Sequence, residues 1–259
     1  MAVSLSPVFY ARQLRHELKL TGAVDLSLVA DRMNIRIFEE ALDAEGYLIQ
    51  KGKEARIIIN NNIGYETRKC FTIAHELGHF YMPHHQESIF RCLARDIQSY
   101  CSDRKLEYEA NEFAGEFLLP AQELEKRLLQ PPNLDMIKEF SKIYGTSLTA
   151  TAVKVVQLTC EKIAVVLSES GEIKWFRKSE SFPYWINKGP LHEWTYAYDF
   201  FSAGKSLPET PQKVQAMAWC QGVSREELIF EESMAFPNLN IVMTLLYIPY
   251  EEECDAFWW

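Results

Sequence analysis

The amino-acid sequence predicts an α+β protein, on three observations. Helical patterns at 7–20, 26–33, 68–82 and 107–120 surround three β-rich segments between residues 35 and 60. A helix-turn-helix outline follows at 134–160. From residue 161 onward, short β patterns return among dense aromatics. At 259 residues the chain has room for one large or two modest domains, and 47% hydrophobic content is ordinary for a globular protein. No apolar run approaches the ~20 residues of a membrane span.

Each element has a local reason. Residues 7–20 read as an amphipathic helix with Phe9, Leu14 and Leu18 on the core side. Asp25 is placed to cap a short helix over 26–33. Segments 35–38, 47–49 and 55–60 carry the β-branched and aromatic character of strands, with turn formers between them. Residues 55–60 are expected to be an edge strand that can pin an extended peptide, with ordinary core pairing as the alternative. Segment 84–104 is less regular. His84 and His85 read there as surface-loop histidines, an extra ligand or transition-state donor being the alternative.

Residues 135–145 and 148–159 read as two helices about a Gly-containing turn, the outline of a DNA-binding motif. The second helix offers one Lys and no Arg to meet phosphates or guanine edges, so packing or protein binding is expected instead. Residues 163–167 and 173–176 predict a hairpin across Ser170 and Gly171, and 214–220, 227–232 and 241–248 are further strand candidates. Trp175, Trp185, Trp194, Trp219, Tyr196 and Tyr198 crowd this part of the chain. It is expected to be an α+β domain, for sensing or substrate docking. The tail at 251–259 joins acidic residues to aromatics. The expected division is 1–130, then a helical pair at 131–160, then 161–259.

Charge and cysteine usage bound the partners. The net charge is −9, of which residues 161–259 carry −7. That balance argues against a nucleic-acid grip by this half and suits a basic protein partner. Cys70, Cys92, Cys101, Cys160, Cys220 and Cys254 are scattered, with no CxxC, which points to reduced thiols and a cytoplasmic location. Cys92 and Cys101 are expected to be structural rather than ligands. The first residues lack the basic and apolar regions of a secretory signal.

The chemistry is concentrated in His75-Glu76-Leu77-Gly78-His79. On a helix, residues i and i+4 share a face, so His75 and His79 can hold one metal ion together. Glu76 projects about 100° round the helix from His75, beside the metal rather than on it. That spacing suits a zinc hydrolase in which Glu76 is the general base. Gly78 inside a helix costs about 1 kcal/mol relative to Ala, and close approach of another segment would explain it.

Catalytic zinc takes three protein ligands and keeps one position open. The third is expected on the 107–120 helix. Glu107, Ala110, Asn111, Ala114 and Leu118 align on one face, and the small alanines would let it pack tightly against the first helix. Glu107 is then the ligand, and Asn111 can hydrogen-bond a ligand histidine. Glu109, on the stripe of Phe113, remains the rival. Glu112 and Glu116 are expected in solvent.

The two runs Phe-Thr-Ile-Ala-His-Glu-Leu-Gly-His-Phe (71–80) and Glu-Tyr-Glu-Ala-Asn-Glu-Phe-Ala-Gly-Glu-Phe-Leu-Leu-Pro (107–120) resemble the ImmA/IrrE metallopeptidases, over roughly residues 5–160. The resemblance implies a zincin-like, mostly helical metallopeptidase domain with a small β-sheet. It implies a Zn2+-dependent endopeptidase, with Mn2+ as a possible replacement. Its substrate would be a helix-turn-helix transcriptional repressor, cleaved in stress response or mobile-element control. His75 and His79 match the family's metal ligands and Glu76 its catalytic Glu. The alternative is a DNA-binding or repressor-sequestering regulator without proteolytic turnover.

Overall fold

The computed structural model describes residues 5–51, 54–85, 87, 89–93 and 105–249. Cys101, Cys254 and the aromatic tail at 251–259 lie outside the described residues, as does 94–104. The described chain forms two compact units. One comprises the residues up to Leu124 together with Phe140–Ala150; the other comprises Glu125–Glu139 and the chain from Thr151 onward.

In the first unit, helix α1 (Pro7–Glu17) starts at Ser6, whose hydroxyl accepts from the Phe9 amide at 3.2 Å, with Pro7 pre-set for the first turn. Its core face is Ala11 and Leu14. Phe9 is exposed rather than buried: it stands about 200° round the helix from both Pro7 and Ala11. Helix α2 (Leu26–Arg32) is capped as expected by Asp25, which accepts from the Leu28 amide at 3.0 Å.

Strands β1 (Ile35–Glu40), β2 (Gly46–Lys51), β3 (Glu54–Asn60) and β4 (Ile89–Cys92) form a sheet in the order β1-β3-β2-β4. β1 runs parallel to β3, and the other pairs are antiparallel. Residues 55–60 are therefore an interior strand, and the edge-strand expectation is overturned. Period-2 alternation, here Ala55, Ile57 and Ile59 inward, is the same for an edge or an interior strand with one solvated face. Only the pairing partners separate the two. The edge nearest the site is β4, hidden from the sequence reading because segment 84–104 has no long periodic run.

Helix α3 (Glu66–Tyr81) lies on this sheet and packs against helix α4 (Lys105–Leu118), which is followed by the short α5 (Ala121–Glu125). A bidentate Arg68–Glu45 pair, at 2.6 and 2.8 Å, ties the first turn of α3 to the residue before β2. Close packing of the two helices depends on Gly78. A Cβ there would lie 3.0 Å from Phe113 Cδ1 and 3.1 Å from Cγ. Ala110, Phe113, Ala114 and Phe117 are all buried at this contact and in the core behind it. α1 holds the far end of α4. Arg15 donates to the Phe117 carbonyl at 2.7 Å, a cation at a helix C-terminus. Glu116 is buried and paired with Arg12 at 2.8 Å, not solvated as expected; α1, distant in sequence, covers that face.

Helices α6 (Leu134–Tyr144) and α7 (Leu148–Leu158) flank the turn at Gly145, whose φ of 64° favours glycine. The second unit is built on an antiparallel sheet of β5 (Lys162–Glu169), β6 (Glu172–Lys178), β8 (Gly189–Pro190), β9 (Gln212–Gln215), β11 (Leu228–Phe236) and β12 (Ile241–Ile248). Its order is β8-β6-β5-β12-β11-β9. Ser170 and Gly171, both at positive φ, make the expected β5–β6 hairpin turn. A small ladder joins β7 (Trp185–Ile186) to β10 (Cys220–Gln221). The strand expected at 214–220 stops at Gln215, where a 3-10 turn over Ala216–Ala218 begins.

Tyr196 and Tyr198 lie on a helix that the aromatic-dense sequence had masked, α8 (Tyr196–Ala203), capped by Thr195 and ended by Gly204. Buried Glu231 accepts from Trp219 Nε1 at 3.0 Å and from the Ala197 amide at 3.0 Å, anchoring that helix to β11. Among the described residues no helix is long and apolar enough to cross a membrane, and no disulfide joins the described cysteines.

Gly78→Ala is expected to lower stability by about 1–3 kcal/mol through overpacking against Phe113. That outweighs the ~1 kcal/mol that Ala gains in helix propensity. Urea unfolding checks this, and a variant as stable as the parent would show that the helix contact is loose.

Candidate metal centre

α3 carries His75 and His79 one turn apart on its buried face, and α4 carries Glu107 in its first turn. The three side chains meet. His75 Nε2 lies 3.1 Å from Glu107 Oε2 and 3.1 Å from His79 Nε2, and His79 Nε2 lies 3.6 Å from the same carboxylate oxygen. A tetrahedral zinc with ligands at ~2.0–2.1 Å separates its donor atoms by about 3.3 Å, so the separations fit such an ion. The donor set of two imidazoles and a carboxylate fits the same chemistry.

Asn111, one turn beyond Glu107, places Oδ1 2.9 Å from His75 Nδ1. Nδ1–H donates to that oxygen, which leaves the Nε2 lone pair facing Glu107 and His79. From β4, Phe90 stacks on the His79 ring with centroids 4.0 Å apart and closes one side.

Glu76 is wholly buried, and neither carboxylate oxygen has a hydrogen-bond partner among the described residues. The backbone of β2 passes directly over it. A Cβ on Gly46 would meet Thr72 Cγ2 at 2.7 Å and Glu76 Oε1 at 3.1 Å. Any side chain at Gly46 would therefore push the strand off α3. The sequence reading missed this position because a glycine after Asp43-Ala44-Glu45 looks like an ordinary turn former. Cys92 is buried at the end of β4, with its sulfur, a His75 nitrogen and a Glu76 oxygen all within 4.8 Å of one another.

Glu109, the rival ligand, goes elsewhere. Its Oε2 takes His84 Nε2 at 2.6 Å and His85 Nε2 at 3.1 Å. The surface-loop reading of these histidines is corrected at His85, which is buried; His84 is half-buried. Two residues along a helix turn the side chain by about 200°, so Glu107 and Glu109 cannot serve one site. The turn after α3 folds back and brings His85 to Glu109, a contact that helical spacing alone does not reveal.

The electrostatics follow from burial and from these contacts. Burial lowers His79 to about 4, favouring the neutral imidazole that a metal requires. Burial acts to raise Glu107, but the imidazoles of His75 and His79 set against its carboxylate override that and lower the carboxyl to about 2. Burial, with Glu107 nearby, pushes Glu76 well above the usual carboxylate range.

Metal content should collapse in Glu107→Ala and remain stoichiometric at saturating metal in Glu109→Ala. Elemental analysis of the purified variants checks it, and the reverse pattern would move the third ligand to Glu109.

No curated protein matches the chain. Residues 30–155 match the family model Peptidase_M78, described as the IrrE N-terminal-like domain, and the matched span holds both α3 and α4. The α3–α4 pairing and the sheet beneath it thus lie in the span that is similar to the Peptidase_M78 (IrrE N-terminal-like) domain, a family of the metallopeptidase type.

Proposed function

We propose that this protein is a zinc-dependent endopeptidase that hydrolyses peptide bonds in a protein substrate. The substrate in this reading is a helix-turn-helix transcriptional repressor, in stress response or mobile-element regulation. The observation that carries the proposal is Glu76: a wholly buried carboxylate with no hydrogen-bond partner among the described residues, beside a convergent His75, His79 and Glu107. Such a group is costly to keep inside a fold unless it has work to do there.

In this reading His75, His79 and Glu107 hold the metal, and Asn111 orients His75. Zinc, when bound, supplies a Lewis acid that acidifies water and polarises a carbonyl. Glu76 takes the proton of the attacking water and returns it to the leaving amine. Among the described residues no strand pairs with the outer edge of β4, and Ile89 is exposed there. An extended substrate can add to that edge. The −7 charge of residues 161–259 suits a basic, DNA-binding partner. Scattered cysteines suit a cytoplasmic location.

The test is incubation of the metal-loaded protein with the repressor encoded beside its gene, followed by mass spectrometry of the fragments. Glu76→Gln should keep the metal and lose ~10²–10⁴-fold in turnover. Full turnover by this variant would reject the base assignment. Repressor inactivation by Glu76→Gln without cleavage would favour sequestration over hydrolysis.

A further inference from the structure

Beside the His75–His79–Glu107 centre lies a second cluster of metal-binding side chains, His84, His85 and Glu109. It allows two readings: a second cation site, or an extension of the first centre. His85 links the two clusters, since its Nδ1 lies 2.8 Å from His79 Nδ1 while its Nε2 lies 3.1 Å from Glu109 Oε2.

Counting protons separates these readings. A metal held by His79 Nε2 needs the lone pair of that nitrogen. The single proton of the neutral ring then sits on Nδ1 and donates to His85 Nδ1. His85 must offer a lone pair at Nδ1, so its own proton is on Nε2, pointing at Glu109. A protonated nitrogen does not ligate a metal. A second ion would be left with only His84 and Glu109, fewer than the three protein ligands of an ordinary catalytic site. With the first centre loaded, the cluster is therefore a hydrogen-bonded chain.

We propose that His85 and Glu109 are positioning residues of the metal centre. Through the chain His79 Nδ1–H to His85 Nδ1, and His85 Nε2–H to Glu109 Oε2, they fix the tautomer and ring plane of His79. Asn111 does the same for His75. Two further contacts support the role. Phe90 lies against both rings, at 4.0 Å from His79 and 5.9 Å from His85, and holds their planes. His84 Nε2 also reaches Glu109 Oε2, at 2.6 Å, which keeps the terminal acceptor in place.

The inference rests on His79 holding a metal through Nε2, and the experiment separates the two ideas. Zinc affinity is measured by chelator competition on the full chain and on His85→Phe, Glu109→Gln and Glu109→Leu, with circular dichroism to confirm folding. Histidine tautomers are read by 15N NMR of the zinc-loaded parent. The expected result is one zinc per chain, with His85 protonated at Nε2. Affinity should fall 10–100-fold in His85→Phe and Glu109→Leu. The fall should be smaller in Glu109→Gln, whose amide oxygen still accepts from His85. A parent that takes up no zinc overturns the metal centre and this chain with it. A parent that binds zinc, with His85→Phe binding as tightly, overturns the positioning role alone. So does a second tightly held zinc, or a His85 lacking the Nε2 proton.

Discussion

Much of the first unit depends on how closely two helices can approach. Phe113 lies over Gly78, where even a methyl group would meet the ring at 3.0 Å. Ala110 and Ala114 keep the same face of α4 low. Glu107 stands on that helix less than two turns before Phe113, so the depth of this contact sets the distance from its carboxylate to His75 and His79. A helix held an ångström further out would carry the Glu107 oxygen away from the ~3.3 Å donor spacing of a tetrahedral zinc. Arg15 and the Arg12–Glu116 pair fix the other end of α4, so the helix cannot pivot about Phe113.

The cost of this arrangement is a set of polar groups inside an apolar core. His75, Glu76, His79, Glu107 and Asn111 are all buried among residues such as Ala74, Leu77 and Phe113. Burial without partners is expensive, and most of these groups are given one. His75 has Asn111, Glu107 has both histidines, and His79 has His85. Glu76, under the bare backbone of Gly46, has none among the described residues. Among the described residues it is the one buried group of the site left without a hydrogen-bond partner, a costly position for a carboxylate.

The supporting sheet does more than cover α3. Its interior strands place Gly46 over Glu76, while its edge strand β4 supplies Phe90 against His79 and Cys92 beside His75 and Glu76. Site groups are thus carried by helix and strand, which hold them more firmly than loops would. The His84–His85 turn is the exception, and it is fastened by Glu109 on α4.

The sequence by itself determined what is local. Periodicity was enough to place α3, α4 and the strands at 35–60, because side-chain direction along one element follows from a fixed repeat. The pairing of His75 with His79, and the reservation of Glu76 beside them, follow from the same 3.6-residue turn. The small residues on one stripe of α4 were enough to favour Glu107 and to foresee Asn111 against a histidine. Only the tertiary structure decided what depends on chain segments meeting. It put 55–60 inside the sheet, buried Glu116 under α1, and turned Phe9 outward. It also brought His85 back from beyond Pro83 to join His79 to Glu109. Such contacts are fixed by long-range packing and by which polar groups find each other once water is excluded, and no repeat along a single element encodes them.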